Sequence, residues 1–229
     1  SHRILEIGVN FEAGMDYANS YELGEVYEDA NNNGLYDSGE YYEDIFTTQD
    51  SATIENFTLT EGFVDGNHGG ALYVNRISSI TLDNVDMITN RVDGSTSVGG
   101  ALYLSRSTAY VTNSTFADNY AARNTGNLGG GAIYNASSTL YLTRCLLYGN
   151  VVQNGKGHAI WQGRISTSDA QPGIYLDHAT FADHEGYTIW SDDYNAGAIN
   201  VINIKNSIIW GGTIHIWNYS TQGATTYSY

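Results

Sequence analysis

One cysteine, Cys145, and one proline stand in this chain of 229 residues. A lone thiol forms no internal disulfide, so packing and backbone pairing must hold the fold. Cys145 lies in "LYLTRCLLYGN", an apolar setting that suits a small buried hydrophobe better than a nucleophile. Proline scarcity, with 26 glycines and 41% hydrophobic residues, excludes a collagen-like or disordered chain. Basic residues are also few. Nine Lys and Arg against 25 Asp and Glu leave a net charge of -16, which repels phosphate backbones and anionic membrane surfaces. Nucleic acid is therefore not an expected partner. No apolar run reaches the roughly 18 residues of a membrane-spanning helix, so no membrane span is expected. A charged-then-apolar leader is missing as well, and a chain starting at Ser1 is read as a mature or excised piece.

What is present is a repeat. "GGALY" begins at Gly69 and again at Gly99, "GGAIY" at Gly130, "GHAIW" at Gly157, "GYTIW" at Gly186 and "GGTIHIW" at Gly211, spaced 30, 31, 27, 29 and 25 residues apart. A second block recurs in step: "TIENFTLTEG", "TLDNVDMITN", "YVTNSTFADN", "YLTRCLLYGN", "YLDHATFADH" and "NIKNSIIWGG" align without gaps. Ile54, Leu82, Val111, Leu142, Leu176 and Ile204 share one apolar column, and Leu59, Met87, Phe116, Leu147, Phe181 and Ile209 another.

These blocks alternate apolar and polar residues in short β-branched and aromatic runs bounded by Gly, Asn, Asp and Ser, which is a strand-and-turn pattern. A unit this short cannot bury its own apolar face, but units stacked about 4.8 Å apart enclose a continuous core. The expected fold is all-β: a right-handed parallel β-helix, or solenoid, of six or more rungs. Its coil is placed at residues 52–229, after an N-terminal segment 1–51. Asn90, Asn119 and Asn150 recur at the last position of the second block and predict an asparagine ladder running from rung to rung.

With its "GGAIYNASSTLYLTRCLLYGN" units, the chain resembles secreted bacterial right-handed parallel β-helix proteins of the pectate-lyase-like type. The pairing of "GGALY" with "FADN" is similar to the repeats of polymorphic outer-membrane autotransporter passengers. The resemblance covers residues 52–217 and implies a secreted or cell-surface, bacterial location. It does not choose a function, since such proteins include polysaccharide lyases, glycoside hydrolases, tailspikes and adhesins.

"DANNNGLYDSGE" stands apart from the repeat. Asp29, Asn31, Asn33, Asp37 and Glu40 occupy positions 1, 3, 5, 9 and 12 of an EF-hand loop, with Gly34 at the sharp turn and Leu35 supplying its carbonyl. Calcium takes six to eight oxygens on a flexible loop, and this spacing supplies them. Ca²⁺ is thus the expected cofactor, with a structural role. "SYELGEVYE" and "YYEDIF" on either side lack a long helical period, so the loop resembles those of secreted modules such as dockerins. Should "RILEIGVNF" form a rung, the loop becomes an insertion in the coil.

Within the GGA blocks the aliphatic column Leu72, Leu102, Ile133, Ile160, Ile189 and Ile214 is expected to face inward. The next column, Tyr73, Tyr103, Tyr134, Trp161, Trp190 and His215, then faces outward as an exposed aromatic stripe. Three roles stand open for it: stacking on sugar rings, packing against the N-terminal segment or another chain, or rung-to-rung contacts within the coil. Arg76, Arg106 and Arg164 share a nearby column, suited to an acidic sugar or to balancing an acidic surface.

For catalysis the resemblance implies acidic pairs or a calcium-assisted base, and the local candidates are Asp177, His178, Asp183 and His184, with Arg164 one rung earlier. Asp177 and Asp183 fall on different strands or turns, and both histidines replace column asparagines, which favours plain turn roles. The preferred expectation is a calcium-stabilised extracellular or cell-surface module that is structural, adhesive or filament-forming, associating end to end with itself or with other surface proteins. The alternative is a carbohydrate-active enzyme, either lyase or hydrolase, or a carbohydrate-binding module that meets polysaccharide at the aromatic stripe.

Overall fold

A computed structural model describes residues 5–8, 26–27, 42–43, 51–122, 128–163, 169, 172–193 and 200–218. Within them the chain is an all-β parallel solenoid of about five turns, with no helix. Each turn runs through the same two main sheets, and the first four turns add a third. One sheet stacks Leu72–Asn75, Leu102–Ser105, Ile133–Ala136, Ile160–Gly163, Tyr187–Asp193 and Thr213–Asn218, every neighbour parallel. Leu5–Gly8 joins its free edge, Leu5 opposite Leu72, so "RILEIGVNF" does supply a strand and residues 9–50 connect it to the next.

The second sheet holds Ser51–Thr60 and Ser79–Ile88 as long strands, continued on later rungs by pairs such as Thr108–Thr112 and Thr115–Ala117. The bend that splits them has a local cause. Asn56, Asn84, Asn113, Arg144, His178 and Asn206 all carry a φ between +49° and +60°, a left-handed conformation that asparagine accepts more readily than most residues.

Between these two sheets lies the core. Leu72, Leu102, Ile133, Ile160 and Ile189 face Leu82, Val111, Leu142, Leu176, Met87, Phe116, Leu147 and Phe181, each at most 2% exposed. The inward direction expected for both sets of columns is found. At roughly 1.5–3 kcal/mol per fully buried aliphatic or phenyl side chain, these columns supply the main drive for stacking.

A third sheet of Phe63–Asp65, Arg91–Asp93, Tyr120–Ala122 and Val151–Val152 projects beside the coil on the first four rungs. It encloses its own small core of Val64, Val92, Ala121 and Val152. This flange explains the second glycine of each GGA block. A Cβ on Gly100 would collide with the Gly131 carbonyl oxygen and lie 2.8 Å from the Tyr120 backbone as the flange passes; Gly131 meets Val151 in the same way. On the next rung the flange is gone and the column holds His158.

Candidate functional site

The corners of the coil are closed by polar ladders. Asn90, Asn119 and Asn150 are fully buried, as their recurrence predicts. Asn119 Oδ1 accepts from the Asn90 backbone N–H at 2.9 Å and from its Nδ2 at 3.0 Å, and Asn150 Oδ1 accepts from Asn119 in the same way. Each Nδ2 also donates to a backbone carbonyl of an earlier rung, Leu59, Met87 and Phe116 in turn. His184 continues the ladder, its Nε2 lying 3.3 Å from Asn150 Nδ2.

At the bend, Ser114 Oγ receives the Val85 N–H and Ser207 Oγ the Ala179 N–H. Cys145 occupies the same column and donates its thiol to the Val111 carbonyl at 3.4 Å. Burial pushes this thiol up to about 11, so Cys145 is a structural residue rather than a nucleophile.

The four acidic and histidine candidates do not form one cluster. Asp177 ends the strand Gly173–Asp177, with His178 Nδ1 2.8 Å from its Oδ1. Asp183 lies at the far end of Thr180–Ala182, at the corner where the ladder begins, and His184 is buried inside that corner. Asn206 Nδ2 donates to Asp177 at 3.0 Å and, with His178, holds its carboxyl below the usual carboxylate range. Arg164 lies outside the described residues, but Arg106 of its column pairs with Asp169 at 2.9 Å and thus balances an acid.

The aromatic stripe is stacked rather than open. Successive ring centroids of Tyr73, Tyr103, Tyr134 and Trp161 are 4.8, 5.3 and 4.3 Å apart and within 7° of parallel. Tyr134, Trp161 and Trp190 are only 7, 3 and 3% exposed. The rings do turn away from the lumen, but chain returning from the flange covers them: Val98 and Leu128 pack on the column, His68 stacks on Tyr103, and Lys156 Nζ sits 5.5 Å from the Trp190 ring. Burial also raises Tyr103 to about 12. Of the three roles, rung-to-rung contact is the one this geometry displays. His215 follows Trp190 in register on the last strand.

The calcium-loop residues Asp29, Asn31, Asn33, Leu35, Asp37 and Glu40 lie outside the described residues. The strands around them, Val26–Tyr27 and Tyr42–Glu43, pair antiparallel with Tyr27 opposite Tyr42, so the chain leaves and returns side by side. Among the described residues no three His, Cys, Asp or Glu side chains gather as a metal site.

A second aromatic column escaped the sequence reading. Tyr110, Tyr141 and Tyr175 stack on the outer face of the bent sheet, centroids 5.0 and 4.7 Å apart, and among the described residues no flange covers that face: Tyr110 is 45% exposed. The signal was visible as the tyrosines opening three consecutive second blocks. Below Tyr175 the column changes to Asn203, its register partner, and a groove of about 260 Å³ opens among Tyr141, Thr143, Tyr175, Leu176, Asp177, Asn203 and Lys205. No protein-family model, curated protein or solved structure matches the chain.

Proposed function

We propose that this chain is a calcium-stabilised extracellular or cell-surface solenoid that acts as a structural and adhesive module, stacking end to end with copies of itself. The carrying observation is the contrast between inner and terminal rungs. Leu82, Val111 and Leu142 seal one lumen column at 0–1% exposure, whereas Ile54 on the first described rung and Ile204 on the last are only partly buried. Ile209 and Ile214 behave like Ile204. Phe57 at 60%, Ile208 at 59% and Trp210 at 71% add apolar surface at the same two ends. Strand edges at the two ends of the described coil, with matching columns, favour addition of another coil.

Sedimentation and electron microscopy across a concentration series test this reading. Elongated assemblies are expected, and the double substitution Ile208→Glu, Trp210→Glu should return them to monomers; a wild-type chain that stays monomeric at every concentration would sink it. A second reading, contact with polysaccharide, draws support from the exposed tyrosine column and its groove. Release of unsaturated or reducing ends from a polysaccharide panel would move that reading from adhesion to catalysis.

A further inference from the structure

We propose that the groove beneath Tyr175 is a subsite for one neutral pyranose ring, seated where the tyrosine column stops. The inference rests on the polysaccharide-contacting reading above and names its ligand. In the stack, each inner face of Tyr110, Tyr141 and Tyr175 is covered by the next ring at 5.0 and 4.7 Å. The outermost face of Tyr175 has no aromatic successor, because its register partner is Asn203. A flat apolar face is thus presented at one rung spacing above a shorter side chain, and the groove occupies the space between.

Polar groups are arranged around that face rather than on it. Asp177, two residues after Tyr175 on the same side of the strand, offers its Oδ2, since Oδ1 already accepts from Asn206; its register neighbours Thr143 and Lys205 offer a hydroxyl and an ammonium. Asn203 adds an amide. A pyranose has the complementary build: a C–H face that packs on an aromatic ring and a rim of vicinal hydroxyls that both donate and accept. Asp177 and Lys205 give the rim one charge of each sign, and the net charge of -16 on the chain opposes a uronate. The volume of about 260 Å³ falls just under the roughly 300–1,000 Å³ of sites that take drug-sized ligands, which fits one ring rather than an oligomer. An apolar peptide side chain would leave Asp177 and Lys205 to solvate themselves at the rim and gains nothing from them.

The test uses the methyl glycosides of glucose, galactose, mannose and N-acetylglucosamine as probes, with methyl glucuronide as the acidic control, followed by calorimetry and by tyrosine ring shifts in NMR. At least one neutral glycoside should bind in the millimolar range or tighter and shift the Tyr175 ring. Tyr175→Ala should weaken it tenfold or more and Tyr175→Phe should keep it. Asn203→Tyr, which extends the stack into the groove, should abolish binding with the melting temperature preserved. The inference is overturned if no neutral glycoside binds, if glucuronide binds as well as the best of them, or if Asn203→Tyr binds like wild type. Should that last variant still adhere to an insoluble polysaccharide, the adhesive reading survives and only this subsite falls.

Discussion

At the scale of single residues, the interior of this coil works by satisfying backbone groups at its corners. Asn119 is the clearest case, since its side chain accepts the Asn90 N–H and donates to the Met87 carbonyl. Asn119→Ala leaves the Asn90 N–H buried without its acceptor, at about 1–3 kcal/mol, and removes the amide hydrogen bond to the Met87 carbonyl, at about 1 kcal/mol more. A loss of roughly 2–4 kcal/mol in urea unfolding is expected. His184 extends the same column with a titratable ring, its Nε2 facing Asn150 Nδ2. Burial, aided by nearby His158, lowers it from 6.5 to about 4, with Asp183 opposing; burial also lowers His158, where Glu185 opposes and Lys156 assists. The folded state therefore takes up these protons at lower pH than the unfolded chain does. Stability is full above about pH 6.5, falls as pH drops toward 4, and stays reduced below that. With about 1.4 kcal/mol per unit, the His184 contribution is on the order of 3 kcal/mol. Unfolding curves at pH 7 and pH 4.5 check this, and His184→Asn should flatten the difference.

At the scale of elements, the flange decides which positions tolerate a side chain. Gly100→Ala should destabilise by roughly 3 kcal/mol or more, because the obstacles are backbone atoms of Tyr120 and Gly131 that cannot rotate away. The same change where the column holds His158 should be mild, and a pair of melting curves for Gly100→Ala and His158→Ala separates the two. The flange also explains why the aromatic stripe was expected on the surface and is found beneath it. Period-two alternation tells which side of a strand a residue takes, and that side was read correctly. Whether a given side meets water depends on chain that returns from another sheet, here Val98, Leu128 and Lys156, and no local pattern announces it. A similar gap concerns the lumen position two residues on. Val74 and Leu104 give way to Asn135, Gln162 and Ser191, all buried; the Asn135 and Gln162 amides reach the Gly173 and Val201 carbonyls where the turns lengthen.

At the scale of the whole molecule, the coil has few charges to hold its length and relies on stacking, with Asp169 folding back onto Arg106 and Ser137 of earlier rungs. The proposed calcium loop between Leu5–Gly8 and Ser51–Thr60 would then act as a clamp on the first rung. A ligand bound only by the folded state stabilises it by mass action, so millimolar calcium should raise the melting midpoint and a chelator should lower it. Asp29→Ala with Glu40→Ala should remove the response. Midpoints that ignore both metal and substitutions would rule out a structural calcium.

The sequence by itself determined the fold, because the stacked columns and corner asparagines recur every 25 to 31 residues and each depends only on its counterpart one rung away. It also determined which ring or aliphatic chain faces the lumen, since alternation is a local property of strands. Only the tertiary structure decided that Tyr134, Trp161 and Trp190 of the stripe are covered, that Asp177 closes the strand Gly173–Asp177 while Asp183 follows the next one, Thr180–Ala182, without converging on it, and that Tyr110, Tyr141 and Tyr175 form the more open face. Exposure and convergence are set by segments distant in the chain, and a repeat carries no record of them.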